Sequence, residues 1–183
     1  MTANVKRGYA GPATKPVVWG CLMLLLCVFA LLIGIVAGLR ALTALAAVSW
    51  AAHFGWLNVG TTWLAFMGYS LTPWIFTVLA VLELINDKRP TTPSRKEPMQ
   101  FGARLVAGAL SGATIVVGPS AAWVSALFIG LIVGAIGAVI GTLAGYRVRK
   151  HLVEAAGGND LPIALMEDVV AVFGAFLIVR AFS

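Results

Sequence analysis

Long apolar runs alternate along this chain with short segments rich in Lys, Arg and Pro. Residues 17–38 form the first run, long enough at 1.5 Å per residue to cross a bilayer as one helix. Residues 73–87 form a second, opened by Thr72-Pro73 as N-cap and first helical residue. It is short, so it either tilts little or sits where the bilayer thins. Residues 101–117 form a third, broken by Gly118-Pro119. A fourth covers 121–148 and carries Gly130, Gly134, Gly137, Gly141 and Gly145. Small residues at that spacing let helix backbones approach closely, which predicts a central packing helix. The turn Gly157-Gly158-Asn159-Asp160, with Asp160 as cap, precedes a last run over 161–182. Residues 41–71 fit no full span. A short helical pattern over 41–54 is followed by Trp56 and Trp63 with His53, Asn58 and Gly60 between aromatics, and Trp50 and Trp74 flank the region. Tryptophan favours the membrane boundary, so this segment is expected to be interfacial or re-entrant.

The pattern predicts an all-α fold, a polytopic transmembrane helix bundle of about five spans plus a re-entrant or interfacial helical segment. Residues 1–16 are expected to be a cytoplasmic tail and 17–183 a single transmembrane domain. Three segments are basic: 1–16, 88–104 and 147–150. The positive-inside rule places all three in the cytoplasm if 41–71 does not add a crossing, with the N-terminus inside and the C-terminus outside. Gly34-x-x-Ala37-Gly38-x-Arg40 recurs as Gly141-x-x-Ala144-Gly145-x-Arg147. On that topology the two motifs end on opposite sides, as an inverted-topology repeat with halves 17–90 and 101–183 would require.

Composition narrows the class. Of 183 residues, 60% are hydrophobic and 11% charged, against about 25% charged in soluble domains. Too little polar sequence remains for a separate soluble domain, which counts against a conventional enzyme. The net charge of +6 lies beside apolar runs, where cations orient a protein and meet anionic lipid, so no nucleic-acid partner is expected. Cys21 and Cys27 fall in the first apolar run and read as small hydrophobes. The run is too long for a signal-peptide core and reads as a retained anchor. There is no P-loop, His-Glu-x-x-His, Cys-x-x-Cys or Gly-x-Ser-x-Gly pattern. His53 and His151 are expected on opposite sides, which removes a histidine metal or acid–base site. No cofactor is expected.

The candidate chemistry lies in the acids. Glu83 sits inside an apolar run, and Asp87 follows four residues later on the same helical face. Acids within the membrane are expensive and mark functional sites by default. At a helix C-terminus they also oppose the macrodipole and need compensation. Pairing with Lys88, Arg89, Arg104 or Arg147 would supply it and would only pin helices together. Glu167 and Asp168 lie beyond the first turn of the last helix and point about 100° apart, so one of them faces the bundle. Arg40 reads as snorkelling to the outer headgroups, or as an anion contact; Arg180 reads as an anchor.

Gly38-x-Arg40, Glu83-x-x-x-Asp87-Lys88-x-Pro90, Arg104-x-x-x-Gly108 and Leu165-x-Glu167-Asp168 together resemble the bacterial membrane family called domain of unknown function 4126. The likeness runs from about Gly34 to the end. It implies a small multi-pass bacterial protein, marks Arg40, Glu83, Asp87, Arg104, Glu167 and Asp168 as pattern positions, and carries no activity.

The leading expectation is a small transporter or channel-like permease of the bacterial inner membrane, acting as a homo-oligomer. Glu83 and Glu167 would bind an ion or small solute, tuned by Asp87, Asp168, Arg104 and Arg147, with Arg40 as a further contact. The alternative is a membrane scaffold or regulator whose acids are structural ion pairs. An enzyme acting on lipid is the third and lacks any catalytic motif.

Overall fold

The computed structural model describes residues 16–86, 98–120, 123–158 and 160–183. The expected tail over 1–15, Asp87 and the loop 88–97 lie outside the described residues. The described residues form six helices: α1 (Pro16–Leu39), α2 (Ala41–His53), α3 (Thr72–Asn86), α4 (Pro98–Val117), α5 (Trp123–Ala155) and α6 (Asp160–Arg180). A 3-10 turn, Trp63–Gly68, joins the α2 and α3 regions. There is no strand among the described residues. The helices α1, α4, α5 and α6 are long and apolar enough to cross a membrane. The protein is a helical membrane protein.

Its core is built from small residues. Ala30, Ala37, Ala113, Ala126, Ala138, Ala171 and Ala175 are buried, whereas Leu24, Val78, Ile132, Phe173 and Leu177 are exposed. In lipid, hydrocarbon outside is as apolar as hydrocarbon inside, so helices associate by close packing between small side chains. The glycines of α5 follow this rule. A Cβ on Gly134 would lie 3.0 Å from the Gly112 Cα of α4, and one on Gly137 would lie 2.9 Å from the Gly34 Cα of α1. The ladder from Gly130 to Gly141 is therefore the seam where α5 meets α1 and α4. Gly145, one turn further, is only half-buried and lines a cleft between α1, α5 and α6.

Contacts along the seam fix the helix directions. Gly34 meets Gly134 and Gly137, and Gly38 meets Gly141 and Thr142, so α1 and α5 run parallel. Gly108 meets Gly134 and Gly112 meets Gly130, so α4 runs against both. The chain turns back at Arg40, because α2 begins beside Gly38 and the segment after it brings Leu57 against Gly118, at the far end of α4. Trp50 Nε1 donates to Thr77 Oγ1 at 3.0 Å, and Glu83 meets the start of α2, so α3 returns antiparallel to α2. In α6, Asp168 lies level with Arg40, and just beyond its end Phe182 packs edge-on against Phe29 of α1.

Residues 41–71, expected as short re-entrant or interfacial helices, are a 13-residue helix, a loop and the 3-10 turn. At about 20 Å, α2 falls short of a hydrocarbon core of about 30 Å, as does α3 at about 22 Å. Trp50, His53, Phe54, Trp56 and Trp74 form a continuous ring cluster at the lower end of this pair. His53 belongs to that cluster, exposed, with Nδ1 3.2 Å from the Gly68 carbonyl oxygen.

Two expectations are corrected. Because α2 returns as a helix of its own, α1 begins at the end of the bundle opposite to Arg104 and to the 147–150 segment, and does not share their side as the sequence expected. The two glycine–arginine motifs lie on α1 and α5, which run in the same direction, so they do not form the inverted pair that the sequence suggested. Alpha-helical motifs of abundant Gly and Ala recur here because both helices bury one shared seam.

Candidate functional site

The polar residues converge on the break between α1 and α2. Leu39 is the last helical residue of α1, Arg40 is extended with φ −141° and ψ 99°, and Ala41 starts α2. A break leaves carbonyls without partners at the end of one helix and amides without partners at the start of the next. In a membrane interior both sets need protein partners. Arg104 of α4 supplies the first set: its Nη1 donates to the Gly38 and Leu39 carbonyl oxygens at 2.6 Å each. Thr142 of α5 adds a hydroxyl donor to the Gly38 carbonyl at 3.1 Å. That bond depends on Gly38, because a Cβ there would lie 2.6 Å from the Thr142 amide nitrogen.

Glu83 of α3 supplies the second set. Its Oε1 accepts from the Ala41 amide at 3.0 Å and its Oε2 from the Leu42 amide at 2.9 Å. A carboxylate at a helix N-terminus is favoured by the macrodipole, and a guanidinium on C-terminal carbonyls is favoured by the same dipole reversed. Glu83 thus finds at α2 the compensation that its own helix end denies it. Arg104 and Arg40 are the cations whose charges act on it.

The sequence expected Arg40 at the outer surface. It is instead fully buried, at 0% exposure, with Nη2 2.5 Å from Asp168 Oδ1 of α6. The snorkelling reading fails because the chain reverses at Arg40 and carries the guanidinium into the bundle. Asp168 is itself only 7% exposed and Arg104 4%. Four of the expected residues, Arg40, Glu83, Arg104 and Asp168, therefore share one level of the bundle and contact one junction.

The other expected site residues do not join them. Of the adjacent acids, Asp168 is the one that faces the bundle; Glu167 turns away, 3.5 Å from Arg149 Nη1. Arg149 also holds Asp160, with Nε and Nη2 donating at 2.8 and 2.7 Å. So Asp160 opens α6 bound to Arg149, where the sequence expected a cap. Arg147 is exposed, and Arg149, which the sequence did not single out, takes the role expected of it. Asp87 is outside the described residues. Thr142 was also missed: a threonine in a glycine-rich helix carries no pattern that separates a lipid-facing hydroxyl from one aimed at a neighbouring carbonyl.

A cleft of about 730 Å³ opens between α2, α3 and α4 beside this junction. Glu83, Asn86, Gln100 and Arg104 line its polar end, and Leu42, Leu45, Leu79 and Val106 its walls. Among the described residues, no group of three or more His, Cys, Asp or Glu is placed to hold a metal ion.

The chain belongs to the family described as domain of unknown function 4126, which it matches over residues 26–181. No curated protein and no solved structure matches it.

Proposed function

We propose that this family member is a small permease-like membrane protein that binds an ion or small solute in the cleft between α2, α3 and α4. The observation that carries the reading is Glu83, an intramembrane carboxylate that lines a 730 Å³ cleft at a helix break. Broken helices with charged groups gathered at their termini are a recurring way to build solute sites in membranes. In this reading Glu83 binds the solute, Arg104 and Arg40 set the local potential, and the Arg40–Asp168 pair holds the junction in place. No residue acts as a catalyst, and copies of the chain assemble as a homo-oligomer in a bacterial cytoplasmic membrane. The end bearing Arg104, Arg147, Arg149 and Lys150 faces the cytoplasm under the positive-inside rule. The start of α1 and the end of α6 then face the opposite side, which keeps the C-terminal side expected from sequence and changes only that of the N-terminus.

A second reading, a non-transporting scaffold, is favoured by one observation: Glu83, Asp160, Glu167 and Asp168 each have a protein partner. Flux separates the two. In proteoliposomes with an imposed ion or pH gradient, the permease reading expects uptake that Glu83→Gln abolishes. Uptake equal to that of empty liposomes, with a correctly folded protein, leaves the scaffold.

A further inference from the structure

We propose that the solute is a lipophilic cation, an ammonium-bearing amphiphile that enters the α2–α3–α4 cleft sideways from the bilayer; this rests on the permease reading above. The first support is the state of Glu83. Both of its oxygens accept amide hydrogens from α2, at a helix N-terminus that favours negative charge. A carboxylate offers about four acceptor positions, so two remain after Ala41 and Leu42 are served. No Lys or Arg lies within ion-pairing distance of Glu83 among the described residues: Arg104 spends Nη1 on the Gly38 and Leu39 carbonyls, and Arg40 is engaged by Asp168. A negative group with spare acceptors inside a membrane protein is best served by a ligand bearing N–H donors and positive charge.

The second support is the shape and lining of the cleft. Helix α3 leans on α2 and on the 3-10 turn, and the gap beside it is bounded by α4 across the way. Val78, Leu79, Leu82 and Ile85 of α3 and Val106 of α4 are exposed. Those faces meet hydrocarbon, so the cleft is reached through the bilayer. A ligand fitting it has an aliphatic body against Leu42, Leu45 and Leu79 and a polar head at Glu83. Gln100, at the same end, adds an amide group able to accept from the ammonium. A small hydrated ion would leave the aliphatic walls uncovered, and an anion would meet the Glu83 carboxylate.

The test is saturable binding of dodecylammonium to the full chain in phosphatidylcholine nanodiscs, measured against empty nanodiscs, with dodecanol and dodecanoate as companions of equal length. Wild-type protein is expected to bind the amine at least tenfold more tightly than the alcohol. Glu83→Gln is expected to erase that preference while leaving alcohol binding within about twofold. Ala103→Trp, which narrows the cleft at an exposed position and touches no charge, is expected to weaken both. It also serves if Glu83→Gln fails to fold. Equal binding of amine and alcohol to wild type overturns the proposal, as does tighter binding of dodecanoate, which would give the site to Arg104. Amine binding with no flux in proteoliposomes would instead overturn transport and leave a binding protein.

Discussion

Removing Asp168 should loosen the bundle far more than removing both members of its ion pair. Arg40 is fully buried and Asp168 nearly so, with their charged atoms 2.5 Å apart. Asp168→Ala removes the Asp168 carboxylate from a guanidinium that stays buried, a change that costs about 3–5 kcal/mol in comparable buried pairs. Coulomb attraction at an effective dielectric near 20 gives about 4 kcal/mol at 4 Å, the same order. For a chain of this size that corresponds to a fall of about 10 °C in unfolding temperature. The double replacement Arg40→Met with Asp168→Leu removes both charges and fills the space with aliphatic groups, so it should recover most of the loss. The assay is thermal unfolding in nanodiscs at one fixed scan rate, followed by tryptophan fluorescence, for wild type, both single variants and the double. A coupling of at least about 2 kcal/mol is expected from the cycle. An Asp168→Ala protein melting within about 2 °C of wild type would refute the claim that this pair ties α6 to the α1–α2 break.

Other outcomes follow from the same contacts. Gly134→Ala puts a methyl 3.0 Å from the Gly112 Cα and nearer still to the Gly108 carbonyl, so it should cost about 1–3 kcal/mol by overpacking, whereas Gly20→Ala, with nothing within 4 Å, should leave the melting curve unshifted. Thr43→Val should stabilise the protein by about 1 kcal/mol: its buried hydroxyl has no partner, and the carbonyl four residues back, Leu39, is taken by Arg104; a lower melting temperature would count against this. Arg149→Ala should cost about 1–3 kcal/mol, because water replaces the pair at half-exposed Asp160 but not at the nearly buried Glu167 carboxylate. With Cys21 and Cys27 replaced by Ala, a cysteine at Lys150 should resist a membrane-impermeant maleimide in intact cells and one at Ser183 should react; the reverse labelling would overturn the orientation proposed here.

The helices were legible because the bilayer imposes a length and a polarity that a linear pattern can show. Runs of about twenty apolar residues, the Gly130–Gly141 spacing and the short tryptophan-rich stretch each carry their meaning locally. The same holds for the cost of an acid in an apolar run, which singled out Glu83 before any neighbour was known. Partners are a different matter. Arg40 looked like an outward anchor because nothing in the sequence around Leu39 says that one extended residue reverses the chain. Arg147 and Arg149 differ by about 200° around α5, and only the placement of α6 decides which one meets Glu167.

What the sequence determined by itself is therefore the class, the helix inventory and the identity of the costly residues, since those depend on transfer between water and lipid, residue by residue. The tertiary structure alone decided sidedness and pairing. Both depend on where the break at Arg40 sends α2, and the break is stable only because Glu83, Arg104, Thr142 and Asp168, from four different helices, arrive there together. Backbone amides and carbonyls complete three of those contacts, and every residue has them, so no pattern of side chains could have announced which would be used.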